Sequence, residues 1–161
     1  MAHERPTDET RGPRSVAAAH VRGRPDFPSA VVPWLVPGES RTVLEIGAGI
    51  GKLTEQLTAA GHLVHAIDTD PAMLELLNHR LPRVNTTQGA VEDLELPHRS
   101  LDAVVCSTAF TTLDLTTALP VIAKALKPGG HLSVVWHERD TKIPWVRRLG
   151  AFLEGPVGAR D

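Results

Sequence analysis

The amino-acid sequence predicts an α/β fold in which a mainly parallel sheet carries helices on both faces. From residue 42 onward, short apolar segments alternate with segments whose apolar residues recur at helical spacing. The links between them are short, and repeated strand–helix units with short links form parallel sheets. Two apolar segments, residues 101–106 and 131–136, are rich in β-branched side chains, as buried parallel strands are. We therefore expect one doubly wound sheet.

The alternating pattern places each element of this sheet. Strands are expected over residues 42–46, 63–67, 84–88, 101–106 and 131–136. Helices are expected over about residues 51–60, 71–80, 116–126 and 144–153.

Residues at the helix ends support these boundaries. Gly61 is suited to end the first of these helices, and Asp70 followed by Pro71 is a typical helix start. A shorter helix is expected before the first strand, capped by Ser29 and weakened or kinked by Pro33.

Composition and charge are those of one globular domain. Hydrophobic residues make up 42% and charged residues 22% of the 161 residues, both ordinary values. The formal charge of −2 gives no general nucleic-acid surface, and no apolar run approaches the roughly 20 residues of a membrane span. Cys106 is the only cysteine, so a reducing, cytoplasmic location is expected.

The expected domain lies between two short terminal segments. Residues 1–18 are polar and rich in Pro, Gly, Arg and Thr, and we expect them to be disordered. Residues 19–155 are expected to form the domain, and residues 156–161 a tail.

The segment 43–51, Val-Leu-Glu-Ile-Gly-Ala-Gly-Ile-Gly, carries the strongest functional signal. Its apolar run ends in three glycines at alternate positions, Gly47, Gly49 and Gly51, with Ala48 between the first two. A helical pattern follows directly. A strand, a glycine turn and a helix in this order let the backbone approach a nucleotide-like ligand without collision with Cβ atoms.

Spacing argues against two other classes of ligand site. The dinucleotide fingerprint needs its third glycine three residues after the second, and Lys52 occupies that position. A P-loop needs four residues between its first glycine and the Gly-Lys pair, but Gly47 and Gly51 enclose only three. A nicotinamide-dependent oxidoreductase is therefore a minor alternative.

Asp68 ends the second expected strand, 17 residues after Gly51. A carboxylate at about this spacing can accept hydrogen bonds from both hydroxyls of a ribose. The other role open to Asp68, that of a helix cap, is already suited to Asp70. Asp68 is therefore a candidate ribose ligand.

These features resemble class I S-adenosylmethionine-dependent methyltransferases, whose motif I has the pattern acidic-x-Gly-x-Gly-x-Gly. Similar segments follow at residues 66–74, 102–105 and 118–130, and the resemblance extends over about residues 20–150. It is greatest with the small-molecule "type 11" branch. The resemblance implies a Rossmann-like sheet of about five strands in the order 3-2-1-4-5. It also implies methyl transfer from S-adenosyl-L-methionine to a small-molecule acceptor.

The resemblance implies roles for further residues. The Glu45 carboxylate is expected to attract the ammonium of the cofactor's methionine part, directly or through water. The loop after the third strand is expected to close over adenine, with Val91 and Glu92 as contacts and Asp93 as the alternative. Ala109 is expected near the cofactor, because ligands of open α/β sheets lie at the carboxyl ends of the strands. The sequence marks no general base and no metal site.

Two departures from the type 11 pattern favour a second hypothesis, a non-catalytic binding module. Members of the branch often carry His-Trp after the fourth strand, where this chain has Thr111-Thr112. The chain also leaves no room for the usual final strand hairpin. We expect the open sheet edge to be covered by a second copy or another partner.

Aromatic and histidine side chains give weaker signals. Trp34, Trp136 and Trp145 are interpreted as packing residues rather than ligand contacts. His137 ends the fifth expected strand near the pocket, where a satisfied or solvated histidine is expected rather than a general base.

Overall fold

The structure, a computed structural model, describes residues 25–39 and 41–154. The segment expected to be disordered, residues 1–18, and the expected tail, residues 156–161, lie outside the described residues.

Five parallel strands form one sheet in the order β3-β2-β1-β4-β5, which confirms the predicted fold class and strand order. The strands are β1 (Thr42–Ile46), β2 (Leu63–Asp68), β3 (Asn85–Gln88), β4 (Leu101–Cys106) and β5 (Leu126–Val134). The helices are α1 (Val32–Leu35), α2 (Lys52–Ala59), α3 (Pro71–Arg80), α4 (Leu115–Ala125) and α5 (Pro144–Glu154). Short 3-10 turns lie at Ser29–Val31, Val91–Asp93 and Thr108–Thr112.

Most predicted boundaries lie within two residues of those in the structure, but the start of β5 and the predicted cap of α1 differ more. β5 begins at Leu126 rather than at residue 131, because the segment after α4 already pairs with β4 across a register shift. Ser29 does not cap α1, since it begins a 3-10 turn without a side-chain cap bond, and Pro33 lies in the first turn of α1. A proline is tolerated there because its missing N–H has no partner within the helix. The predicted cap at Asp70 is confirmed by its bond from the Ala72 N–H at 2.9 Å.

Alternate residues of β1 and β4 point into two separate cores, one on each face of the sheet. On one face the strands pack against α4, in a cluster that includes Leu44, Ile46, Val104, Cys106 and Ile122. On the other face they pack against α1 and α2, in a cluster that includes Val43, Val105, Leu35, Leu53 and Leu57. Each fully buried Leu, Ile or Val contributes about 1.5–3 kcal/mol, so the central strands hold the sheet rigidly.

The strand register brings three chain segments to one edge of the sheet. β1 lies between β2 and β4, and Ile46 is paired at the carboxyl ends of both neighbours. The loops that follow Ile46, Asp68 and Cys106 therefore emerge side by side. The chain runs from β1 outward through β2 to β3 and then returns to β4, and open α/β sheets bind ligands at such a switch point.

Large apolar side chains are exposed on α1, directly after β5 and on α5. Trp34, Trp136 and Trp145 are 85%, 59% and 66% exposed, so their interpretation as packing residues is wrong within the described chain. Trp145, Leu149 and Phe152 are exposed at spacings that place them on one face of α5. β5 is one of the two edge strands, and its outer edge has no strand partner among the described residues. No helix in the described part of the chain is both long and apolar enough to cross a bilayer.

Candidate cofactor-binding site

The glycine turn between β1 and α2 is bound to the end of β2. The N–H groups of Gly47 and Ala48 both donate to the carbonyl oxygen of Ile67, at 2.9 and 3.0 Å. These two hydrogen bonds join the turn to the switch point. The turn therefore presents a fixed backbone surface to the space above the sheet.

The three glycines serve different purposes. A Cβ atom on Gly47 would collide with the Cβ of Ala109, and one on Gly51 would lie 2.8 Å from the Leu77 side chain. Packing within the protein therefore accounts for these two glycines. A Cβ on Gly49 would meet nothing within 4 Å, although φ at this residue is +57°. Gly49 thus borders open space that a ligand could enter.

Asp68 is held directly against the glycine turn. Its Oδ2 accepts from the Gly49 N–H at 2.8 Å, and its Oδ1 accepts from the Asp70 N–H at 2.9 Å. Each carboxylate oxygen has a second acceptor position, so both oxygens can still receive a hydroxyl. The structure therefore places Asp68 beside the glycine turn with room to accept further hydrogen bonds, and its role as a ribose ligand stays a prediction.

A cleft of about 780 Å³ opens beside the turn at the carboxyl ends of the strands. Its volume lies within the usual range for small-molecule sites. The cleft brings together most of the residues predicted from the sequence, namely Gly47, Gly49, Asp68, Val91, Glu92, Asp93 and Ala109.

Val91 and Glu92 differ in what they can offer a ligand. The Val91 side chain is fully buried in the core, which leaves only its backbone for polar contacts. Glu92 Oε1 accepts from the Asp114 N–H at 3.0 Å, and this bond joins the loop after β3 to the start of α4. Glu92 Oε2 is buried without a hydrogen-bond partner among the described residues. Such an atom costs about 1–3 kcal/mol, which a ligand amine could recover.

Glu45 lies behind the glycine turn and is almost completely buried. The Thr54 hydroxyl donates to its Oε2 at 2.6 Å. Burial raises the pKa of the Glu45 carboxyl to about 8, against the effect of this hydrogen bond and with a smaller contribution from the charge of Asp68. The carboxyl is therefore mainly protonated at neutral pH, and a cation placed beside it would favour its ionised form.

A smaller cavity of about 70 Å³ adjoins the cleft and shares the glycine turn as a wall. It is lined by residues that include Glu45, Gly47, Ala48 and Gly49. Together the two spaces contact every residue predicted to bind the cofactor except Gly51, which packs on Leu77 instead.

The sequence interpretation missed the segment that closes the smaller cavity. Residues Pro25–Phe27, which we call the strap, form part of its lining. The Phe27 ring stacks on the His137 ring with a centroid distance of 4.3 Å and an interplanar angle of 5°. The only signal in the sequence was the Arg-Pro-x-aromatic-Pro segment at residues 24–28, which gives no partner for Phe27.

The domain has an open parallel sheet, a glycine turn after β1, an acid at the end of β2 and a cleft over both. These features are typical of α/β domains that bind a nucleoside-containing ligand. Residues 44–134 match the family described as "Methyltransferase domain", of type 11. The chain therefore belongs to this family of class I S-adenosylmethionine-dependent methyltransferases, as the resemblance implied.

A relative with this assignment occurs in Mycobacterium tuberculosis. An uncharacterized methyltransferase of that organism is 41% identical over 139 residues, which is 86% of this chain and 57% of the relative. The chain thus spans somewhat more than half the length of that relative.

Solved structures show the same fold. A protein of Methanococcus maripaludis described as an S-adenosyl-L-methionine-dependent methyltransferase superposes with a TM-score of 0.71 at 17% identity, over 96% of this chain and 76% of that one. Phosphoethanolamine N-methyltransferase 2 of Haemonchus contortus, in complex with S-adenosyl-L-methionine, has a TM-score of 0.60 at 26% identity. That match covers 65% of this chain and 26% of the other.

Proposed function

We propose that this chain binds S-adenosyl-L-methionine and transfers its methyl group to a small-molecule acceptor. The observation that carries the proposal is the direct bond from the Gly49 N–H to the Asp68 carboxylate, at the edge of a cleft, in a chain of the methyltransferase family. This bond places a ribose acceptor and an open stretch of glycine backbone next to each other. A nucleoside with an extended substituent fits both.

The cofactor would extend along the glycine turn from one space to the other. Its adenine would lie beside Val91 and Glu92. The Glu92 Oε2, which has no hydrogen-bond partner among the described residues, would accept from the exocyclic amine of the adenine. Its ribose hydroxyls bond to Asp68, and its methionine part enters the smaller cavity, where its ammonium meets Glu45. Ala109 packs near the middle of this path, since it faces Gly47.

The transfer itself needs little from the protein beyond geometry. A lone pair on the acceptor forms a bond to the methyl carbon as the bond from that carbon to sulfur breaks. The bonding electrons return to sulfur, which leaves S-adenosylhomocysteine, and any proton on the acceptor atom passes to solvent. Because the sulfonium is already activated, holding the two reactants in line supplies much of the rate enhancement.

Calorimetric titration with S-adenosylhomocysteine tests the cofactor assignment, with NADH as the control. Micromolar binding of the first ligand alone supports the proposal, and a panel of small acceptors with radiolabelled S-adenosylmethionine then tests transfer. A folded chain that binds NADH, or that binds neither ligand, would overturn it.

A non-catalytic binding module remains the second candidate because of the residues after β4. The Thr111 and Thr112 hydroxyls donate to the carbonyl oxygens of Thr108 and Ala109, at 3.0 and 2.8 Å. These hydroxyls are thus engaged in the local turn rather than directed by a base. Tight cofactor binding without transfer to any member of the panel favours this candidate, and measurable transfer excludes it.

We also propose that a second copy of the chain covers the open edge of β5 and the exposed face of α5. The support is this strand edge, the exposed Trp136 that follows β5, and the exposed Trp145 and Phe152 of α5. Exposed apolar surface is typical of protein interfaces when it is large. Sedimentation at several concentrations tests this, since a monomer at all of them contradicts it.

A cytoplasmic location is proposed as well. The single cysteine supports it, because disulfide-free chains suit a reducing compartment. Cell fractionation of the native host tests the location.

A further inference from the structure

An ion pair that the proposed function does not use lies in the wall of the smaller cavity. Lys52 Nζ is 2.8 Å from Asp26 Oδ1, and both residues line this cavity. Lys52 is the first residue of α2 and occupies the position where a dinucleotide site would have its third glycine. Its ammonium holds the pKa of the Asp26 carboxyl below its usual value.

The lining of the cavity offers groups of opposite charge to a ligand. Glu45, behind the glycine turn, can supply a negative charge, and Lys52 supplies a positive one. The methionine part of the cofactor ends in an ammonium and a carboxylate on the same carbon. A cavity whose lining holds the Glu45 and Asp26 carboxyl groups and the Lys52 ammonium is therefore complementary to this zwitterionic end.

We propose that Lys52 binds the carboxylate of the cofactor's methionine part, which replaces the Asp26 carboxylate on the Lys52 ammonium. This inference rests on the proposed function, since it assigns a further residue of the same site. Lysine suits the exchange because its ammonium is a compact charge on a flexible stem and can follow either carboxylate. Asp26, once released, is left near the cofactor ammonium.

The strap stays in place during this exchange because two other contacts hold it. Gln56 Nε2 donates to the Phe27 carbonyl oxygen at 2.7 Å, and the Phe27 ring stacks on His137. The strap therefore covers the methionine part whether or not Asp26 is paired with Lys52. Lys52 therefore binds the ligand and is not required to hold the strap in place.

Ligands that differ only at the methionine end test the inference by calorimetry. The probes are S-adenosylhomocysteine, its decarboxylated form, and methylthioadenosine, which has no amino-acid end. Wild-type protein is expected to bind S-adenosylhomocysteine about tenfold more tightly than the decarboxylated form, as a charge-assisted hydrogen bond implies. Lys52→Met should remove this difference and leave methylthioadenosine binding unchanged. Equal wild-type affinities for the first two ligands would overturn the inference without any variant.

Asp26→Asn is the matched control because it breaks the same ion pair while Lys52 stays. Unchanged or tighter binding of S-adenosylhomocysteine by this variant supports the exchange. A loss equal to that of Lys52→Met would mean that the pair only holds the strap, and the inference would be wrong. Lys52→Arg, which keeps the cation, should retain most of the affinity.

The outcomes separate this inference from the proposed function. If wild-type protein binds methylthioadenosine and S-adenosylhomocysteine, but Lys52→Met keeps the wild-type affinity for S-adenosylhomocysteine, the role of Lys52 alone is overturned. Failure of folded wild-type protein to bind any of the three ligands would overturn both.

Discussion

The glycine-turn side of the domain and the exposed surfaces of β5 and α5 differ in how far their polar and apolar groups are buried or paired. At the glycine turn, backbone N–H groups are paired with Ile67 and Asp68, and even the Glu45 carboxyl is buried. At β5 and α5, an outer strand edge is unpaired within the described chain and tryptophans are exposed. The hydrogen bonds of the glycine turn are made within the chain, whereas β5 and α5 present groups that an interface would cover.

The largest effect is expected from Glu45, the most deeply buried charge-bearing group of the first side. Its pKa is raised to about 8 from 4.5 by burial, so the folded protein holds a proton that the unfolded chain releases. This contribution to stability is fully present below pH 4.5 and is lost as the pH rises through 8. The difference in unfolding free energy between wild type and Glu45→Gln should therefore change by a few kcal/mol across this range. Denaturant unfolding at several pH values measures it.

Cofactor binding should also be coupled to the ionisation of Glu45. An ammonium next to Glu45 requires the ionised carboxylate, so binding near neutral pH is expected to release close to one proton. Calorimetry in buffers of different ionisation enthalpy detects this release. A Glu45→Gln variant that releases as many protons as wild type would show that another group titrates.

The second largest effect is expected from Asp68, which links the turn to the cleft. Asp68→Ala removes the acceptor for the Gly49 N–H and also the carboxylate expected to bind the ribose hydroxyls. Two or more hydrogen bonds to a charged group are then lost, so the affinity for S-adenosylhomocysteine should fall by about 100-fold. Asp70→Ala is the control, because Asp70 caps α3 and its loss should lower stability by about 1 kcal/mol with little effect on affinity. Unchanged affinity in Asp68→Ala would remove the ribose assignment.

The same contrast explains which features the sequence could predict. The positions of the glycine turn and of Asp68 can be predicted from local spacing. Both lie within one short segment of the sequence, at the ends of two consecutive strands. The stack of Phe27 on His137 joins residues far apart in sequence, and no local pattern encodes it. The tryptophans could not be placed in this way, because residue type indicates burial only on average: Trp136 follows the edge strand β5 and Trp145 lies on the exposed face of α5.

Two functional details of the site also required the structure. The sequence marks Glu45 as an acid, but only its burial in the folded protein shows that the pKa of its carboxyl is raised, to about 8, against the effect of the hydrogen bond from Thr54. Lys52 appeared in the sequence as a departure from another motif, and its place in the cavity wall depends on the strap.

A third and smaller effect is expected at Gly49, where a side chain would enter the open cleft rather than collide with the protein. Gly49→Ala introduces a Cβ that meets no protein atom, at a φ of +57° that costs about 1–2 kcal/mol. The variant should remain folded but bind S-adenosylhomocysteine about tenfold more weakly, because the methyl group enters the ligand's path. Gly61→Ala, at a helix end with φ +88° and equally open space, is the matched control for backbone strain alone. Equal affinities of the two variants would mean that no ligand approaches Gly49.

The smallest effect on stability is expected at the exposed face of α5, and this prediction separates the two sides most directly. Phe152 is 83% and Trp145 66% exposed, so replacing either by Ser should change the unfolding free energy of the monomer by no more than about 0.5 kcal/mol. Leu57→Ala, on the fully buried side, should cost about 2–5 kcal/mol by the same measurement. If a second copy covers α5, the Ser variants will instead weaken self-association in sedimentation while leaving the dilute protein as stable as wild type. A loss of more than 1 kcal/mol in dilute monomer would show that this face is packed within the chain.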